Sequence, residues 1–220
     1  MTSRTPTSSR RSATAVALLT AFALMGTACT GGQASPSAAP SNGSTSQSAS
    51  PTPSDTPTPI ATASYKPADA KGRAQNVPLP VLPEAAKAKT KEGAIAFAKH
   101  WFNLLSYGYE TGDLRPLNIV TSDSCEPCAK AKAVINAWNT EGRWLVGGLV
   151  TTPSVSTEFV QGADMTYQVA VQAHQTPLTY MRKDGSVARR GSQPDDTGNL
   201  LFITFAKGAW KLVDIGRIVG

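Results

Sequence analysis

The amino-acid sequence predicts an α+β fold, with N-terminal helices packed on one face of a curved antiparallel β-sheet and a long stretch ahead of them that forms no core. Between residues 90 and 141 the apolar side chains recur every three or four positions, and from 144 onward they alternate; these are the periods of helix and strand. Helices first and strands afterwards give segregated layers rather than alternating crossover units. Before residue 65 neither period is present. Of the 220 residues, roughly 135 therefore carry the core, enough for one domain that buries about two-thirds of its surface.

The first element, residues 1–28, has the plan of an export signal. Arg4, Arg10 and Arg11 make a positive start, and an apolar run from Ala13 to Leu24 follows. That run is shorter than the roughly 20 residues a membrane span needs. Arg10-Arg11 also raises the twin-arginine route, but Ser12, Ala13 and Thr14 lack the bulky apolar character expected there, so the pair is read as ordinary positive charge. The run closes on Leu24-Met25-Gly26-Thr27-Ala28-Cys29. This stretch resembles the lipobox of bacterial lipoprotein signals, with small residues at Thr27 and Ala28 and a departure at Gly26, where an aliphatic residue is usual. The resemblance implies cleavage between Ala28 and Cys29, a diacylglycerol on the Cys29 thiol with palmitate as an acyl chain of the anchor, and a protein held on the extracellular face of the cell membrane. An ordinary secretory peptide is the alternative.

Residues 29–64 are, after Cys29, mostly Ser, Thr, Pro, Ala and Gly with one charge, Asp55. Such a segment cannot bury enough surface to offset the entropy of ordering it, and is expected to be a disordered tether. Its reach lies between about 30 Å as a coil and about 100 Å drawn out. Its composition also permits O-glycosylation. Residues 65–84 alternate proline with aliphatics at Val77 to Pro83, which forbids helix and central strand and predicts an extended arm on the domain surface. A proline ligand for a partner's groove is the alternative reading.

The folded domain is expected over 85–220. Thr90 caps a helix running to about residue 109, with Glu92 in its first turn and Ile95, Ala98, Trp101, Phe102, Leu105 and Tyr109 on its buried face. Thr111-Gly112-Asp113 ends it, and a short helix over 114–120 follows. Asp123 and Ser124 are candidate caps for a third helix over 126–141, buried through Ala131, Val134, Ile135 and Trp138. Strands are expected at 144–150, 155–161, 165–173, 178–183, 200–206 and 210–219, with hairpin turns at Lys183-Asp184-Gly185 and Lys207-Gly208 and a polar loop over 191–198.

That order of elements resembles the nuclear transport factor 2-like superfamily of cone-shaped α+β domains. The segment from Thr90 through Phe97 to Trp101, then Thr111-Gly112-Asp113 and Cys125-Glu126-Pro127-Cys128, is similar to a family of actinobacterial lipoproteins whose domain has no assigned function. The resemblance implies a Gram-positive cell-surface protein with a curved sheet wrapped on helices, and it supplies no catalytic residues.

The formal charge of +6 falls to about +3 without the three signal arginines, and no basic block is visible beyond Arg189-Arg190. Nucleic-acid binding, which wants a basic stripe with interleaved aromatics, is set aside. With Cys29 assigned to lipid, Cys125 and Cys128 are an even pair in an oxidising setting and are read as a structural disulfide. A redox pair would want the strand of a βαβ unit before it, and zinc would want two further ligands. His100 and His174 are read as partly exposed structural histidines. Some members of the cone superfamily are enzymes with an Asp base and a Tyr donor in the mouth of the cone; Tyr107, Tyr109, Asp113 and Asp164 are the residues of those types here, and nothing in their spacing joins them. Trp101, Trp138, Trp144 and Trp210 are candidates to line a pocket between sheet and helices, or to fill the core. The expectation is a non-enzymatic domain without cofactor or metal that binds a protein, cell-wall or small-molecule partner, with a small-pocket enzyme as the competing class.

Overall fold

A computed structural model describes residues 63–192 and 196–218. The expected signal, the Cys29 lipobox and nearly all of the tether lie outside the described residues. The described chain begins as an irregular arm. Lys66 pairs with Gln75 and Asp69 with Gly72, so the arm first doubles back in a tight turn. It then runs without helix or strand past Pro83, with Leu79 and Val81 exposed and Val77 half-buried. A single 3-10 turn, Glu84–Lys87, was not expected from the sequence.

Helix α1 (Lys91–Thr111) starts where the Thr90 hydroxyl accepts the Gly93 N–H at 3.0 Å. Gly93 is required by the preceding chain, because a Cβ there would sit 2.1 Å from the Ala88 carbonyl oxygen. Gly112, at φ 79°, ends the helix in the left-handed conformation and donates its N–H to the Gly108 carbonyl. Helix α2 (Arg115–Ile119) is one short turn. Helix α3 (Glu126–Trp138) differs from expectation at both ends and on one face. Cys125 is its cap, not Asp123 or Ser124, and the Cys125 sulfur accepts the Cys128 N–H. It stops three residues short of 141 because Arg143 turns back to donate to the Ala137 carbonyl and the Thr140 hydroxyl, both at 2.8 Å. Val134, expected to be buried, is exposed.

Among the described residues seven strands follow: β1 (Trp144–Val146), β2 (Val150–Ser156), β3 (Tyr167–Gln175), β4 (Thr179–Met181), β5 (Val187–Arg190), β6 (Thr197–Ala206) and β7 (Ala209–Ile218). They form two antiparallel sheets, in the orders β2-β3-β6-β7 and β1-β4-β5. The sequence reading of one strand over 144–150 is therefore wrong. Gly147 and Gly148, at φ 84° and 79°, break it and pass the chain from one sheet to the other. The close approach of the Pro177 carbonyl oxygen, 2.1 Å from any Cβ at position 147, makes glycine obligatory there. The expected strand over 155–161 is likewise displaced: β2 ends at Ser156, and a loop follows.

Helix α1 packs against β2, β1 and β3, and α3 against β7 and β1. The interior is filled by Phe97, Trp101, Leu117, Ile135, Val169 and Leu212, each almost wholly removed from water; full burial of a large apolar side chain contributes about 2 to 3 kcal/mol. Around the three-stranded sheet, Trp138 meets Tyr180 edge to face at 5.1 Å. The Arg143 guanidinium lies 4.8 Å from the Trp138 ring centre, and that of Arg189 lies 4.0 Å from the Tyr180 ring centre.

Candidate functional site

Alternation along β3 and β6 sends Tyr167, Val169, Val171, Leu201 and Ile203 into the core and leaves Gln168, Ala170, Leu200 and Phe202 on the outer face of the four-stranded sheet. That face is low and partly apolar. Gly198 stands opposite Ile218 and Gly216 opposite Leu200, so bulky residues lie beside bare backbone. The loop after β2 rises over one end of the face. Phe159, at φ 57°, turns inward and stacks on Tyr167 with ring centres 4.7 Å apart, which leaves its neighbours Glu158 and Val160 turned out. The loop is stiffened by Thr157, whose hydroxyl donates to the Gln168 carbonyl and accepts the Phe159 N–H. A second brace is the turn in which the Gly162 N–H donates to the Thr166 carbonyl at 2.8 Å.

Between loop and sheet lies an open groove of about 360 Å³. Ala170 and Leu200 give it an apolar floor; Ser156, Glu158 and Gln168 give it a polar rim. A floor that releases water and a rim that orients are the two parts of a binding site. A second, shallower groove of about 350 Å³ separates the arm from α1 and is lined by Tyr65, Val77, Pro78, Tyr107, Glu110 and Leu149. There the Tyr65 hydroxyl donates to the Glu110 carboxylate, and burial, then that bond, pushes the phenol up to about 12.

The residues singled out by sequence are distributed elsewhere. Trp101, Trp138, Trp144 and Trp210 line neither groove. Each indole N–H is satisfied from within: Trp101 by the Thr121 hydroxyl, Trp138 by the Met181 carbonyl, Trp144 by the Asp69 carbonyl and Trp210 by the Ala88 carbonyl. Cys125 and Cys128 are joined by a disulfide and buried at the start of α3. Tyr107, Tyr109, Asp113 and Asp164 do not converge. Asp113 is held below the usual carboxylate range by Arg115, and Asp164 by the backbone N–H and hydroxyl of Thr166, each within its own turn. Burial raises the Tyr109 phenol, which bonds to Gln175. His100, expected to be partly exposed, is buried on the core side of α1; its Nδ1 has no partner, and burial lowers its pKa. His174 instead meets Asp196 at 2.5 Å where the end of β3 lies beside the start of β6, a pairing 22 residues apart that spacing along the chain could not reveal. Among the described residues no three His, Cys, Asp or Glu side chains gather as a metal would need, and no helix is long and apolar enough to cross a membrane.

The groove itself was missed because the residues after Ser156 were read as strand. The adjacent apolar pair Phe159-Val160 breaks alternation and is the signal that could have marked a loop.

No curated protein matches the chain. Among solved structures, the chain is similar to the crystal structure of the intermembrane space region of the chloroplast protein ARC6, at 13% identity over 60% of this chain and 98% of that one, with a TM-score of 0.40. A family described as a family of unknown function, DUF6318, matches residues 63–216, which takes in the arm, the three helices and both sheets up to β7; the chain belongs to that family.

Proposed function

We propose that this chain is a cell-surface lipoprotein, cleaved after Ala28 and anchored on the extracellular face of the membrane through a diacylglycerol on Cys29, whose α+β domain over 85–220 binds a partner without catalysing a reaction. The lipobox, the tether over 29–64 and the arm over 65–84 support the anchored half of this reading. The resemblances to actinobacterial lipoproteins and to the cone-shaped superfamily belong to the same reading. The observation that carries the binding half is the groove on the outer sheet face, with Ala170 and Leu200 as floor and Ser156, Glu158 and Gln168 as rim. Its partner is a protein, a cell-wall component or a small molecule. The aromatic cluster of Phe97, Phe159, Tyr167, Phe205 and Trp210 occupies the space between helix and sheet, which favours recognition on the outside of the sheet over chemistry within it.

A photo-reactive residue at Val160, beside the groove, tests the binding half on living cells; the same residue at Ile119, exposed on α2, is the comparison. Adducts from position 160 and none from 119 are expected. Equal labelling at both positions, or none at 160, sinks the groove as the site.

A further inference from the structure

The charge that looks evenly spread along the sequence is not spread in the fold. The turn over 66–73, residues 141–146 and the hairpin over 179–190 come together around the three-stranded sheet. Trp144 donates to the Asp69 carbonyl at 2.9 Å, and Arg73 donates to the carbonyls of Asn139 and Arg143 at 3.1 and 2.5 Å. Gly185, in the hairpin turn, lies against the Ala70 carbonyl, and the Lys183 stem lies over Gly142. These three segments carry eight cations against three acids, Asp69, Glu141 and Asp184. The remaining described residues carry ten cations and ten acids, so the net charge of the described residues resides here.

Lys71, Lys183, Arg189 and Arg190 are exposed, and among the described residues the side chains of Lys183 and Arg190 make no hydrogen bond or ion pair. Arg189 is backed by the Tyr180 ring, which holds its guanidinium outward on a flat support. A cationic surface of this density attracts a densely anionic one and does so from several ångströms away. The same end of the domain receives the chain. The Asn76 side chain donates to the Ser64 carbonyl at 3.0 Å, and Tyr65 bonds to Glu110 at the end of α1, so the described chain begins beside the basic turn.

We propose that this basic end is a docking surface for the anionic phospholipid headgroups of the membrane. The tether delivers it there, and phosphate charge satisfies cations that the protein leaves open. The geometry rests on the anchored reading of the chain, but the surface acts without the lipid and is tested without it.

The test uses the full chain with Cys29→Ser, sedimented with vesicles of phosphatidylcholine alone or with phosphatidylglycerol added. The signal segment is the same in every sample, so differences report the patch. Binding is expected to the phosphatidylglycerol vesicles above the level on phosphatidylcholine, and to fall with salt. Lys71→Gln with Lys183→Gln and Arg190→Gln should weaken that excess by about tenfold or more. Replacing the same three by the other basic residue should keep it. Lys99→Gln with Lys130→Gln and Lys211→Gln, the same charge removed elsewhere, should leave it nearly intact. Equal binding to both vesicle types overturns the proposal, as does equal loss in the two neutralised variants. Binding to soluble polyphosphate without binding to phosphatidylglycerol vesicles also overturns it, and assigns the patch to an anionic wall polymer.

Discussion

His100 sits on α1 with 5% of its surface exposed and no partner for Nδ1, so its neutral form is the one the fold accommodates. Its pKa is lowered from the ordinary 6.5 by burial. The unfolded chain therefore binds the proton first as pH falls, and stability is full above about 6.5 and declines below it until the folded form protonates as well. His100→Leu is expected to flatten that decline in urea titrations across the acid range; an unchanged slope would assign it to another group. Trp101 offers a second reading at this scale. Its indole N–H donates to the Thr121 hydroxyl at 2.9 Å, and that hydroxyl donates on to the Leu117 carbonyl at 2.6 Å, which ties α1 to the end of α2. Trp101→Phe removes the bond and some volume, and should cost about 2 kcal/mol of unfolding free energy, with the fold otherwise kept. Periodicity made the burial of Trp101 and Trp210 legible. It could not show the hydrogen bonds, which depend on partners 20 and 122 residues away.

The elements most exposed to a single substitution are the sheet crossing and the start of α3. Gly147→Ala places a Cβ 2.1 Å from the Pro177 carbonyl oxygen at a φ of 84°, so both position and conformation are lost. A drop of at least about 2 kcal/mol is expected by thermal or urea unfolding. A neutral outcome would mean the two sheets do not part there. The Cys125–Cys128 bridge closes a very short loop, so its entropic contribution is small, while Cys125 also caps α3 through its sulfur. Reduction or paired replacement by Ala should cost about 1 to 2 kcal/mol and speed amide exchange in the first turn of α3, leaving the sheets protected. Loss of all cooperative structure would contradict a local role. Much at this scale was legible in the sequence: three helices, the Thr90 cap, the turns at Gly185 and Gly208, and β3, β6 and β7 to within a few residues. The order of layers was legible too. The second sheet was not, because Trp144-Leu145-Val146 and Leu149-Val150 read together as one apolar strand, and the positive-φ backbone at Gly147-Gly148 divides them. Nor was the groove, since the inward turn of Phe159 is a packing decision made with Tyr167 and Trp210.

At the scale of the whole molecule, charge and attachment coincide. The described chain begins next to the turn over 66–73, which packs on the three-stranded sheet where the net positive charge of the described residues lies, and the groove is built on the outer face of the four-stranded sheet. A tether at one end and a binding surface on another face, as proposed, is a workable plan for display on a membrane. In the proposed function display depends on Cys29, and the intact mass of the protein extracted from its own cells tests that dependence most directly. The account predicts a chain beginning at Cys29 and carrying the added mass of a diacylglycerol, converted by Cys29→Ser to an unprocessed or released form. A chain that begins elsewhere, or one that begins at Cys29 without lipid, would contradict it.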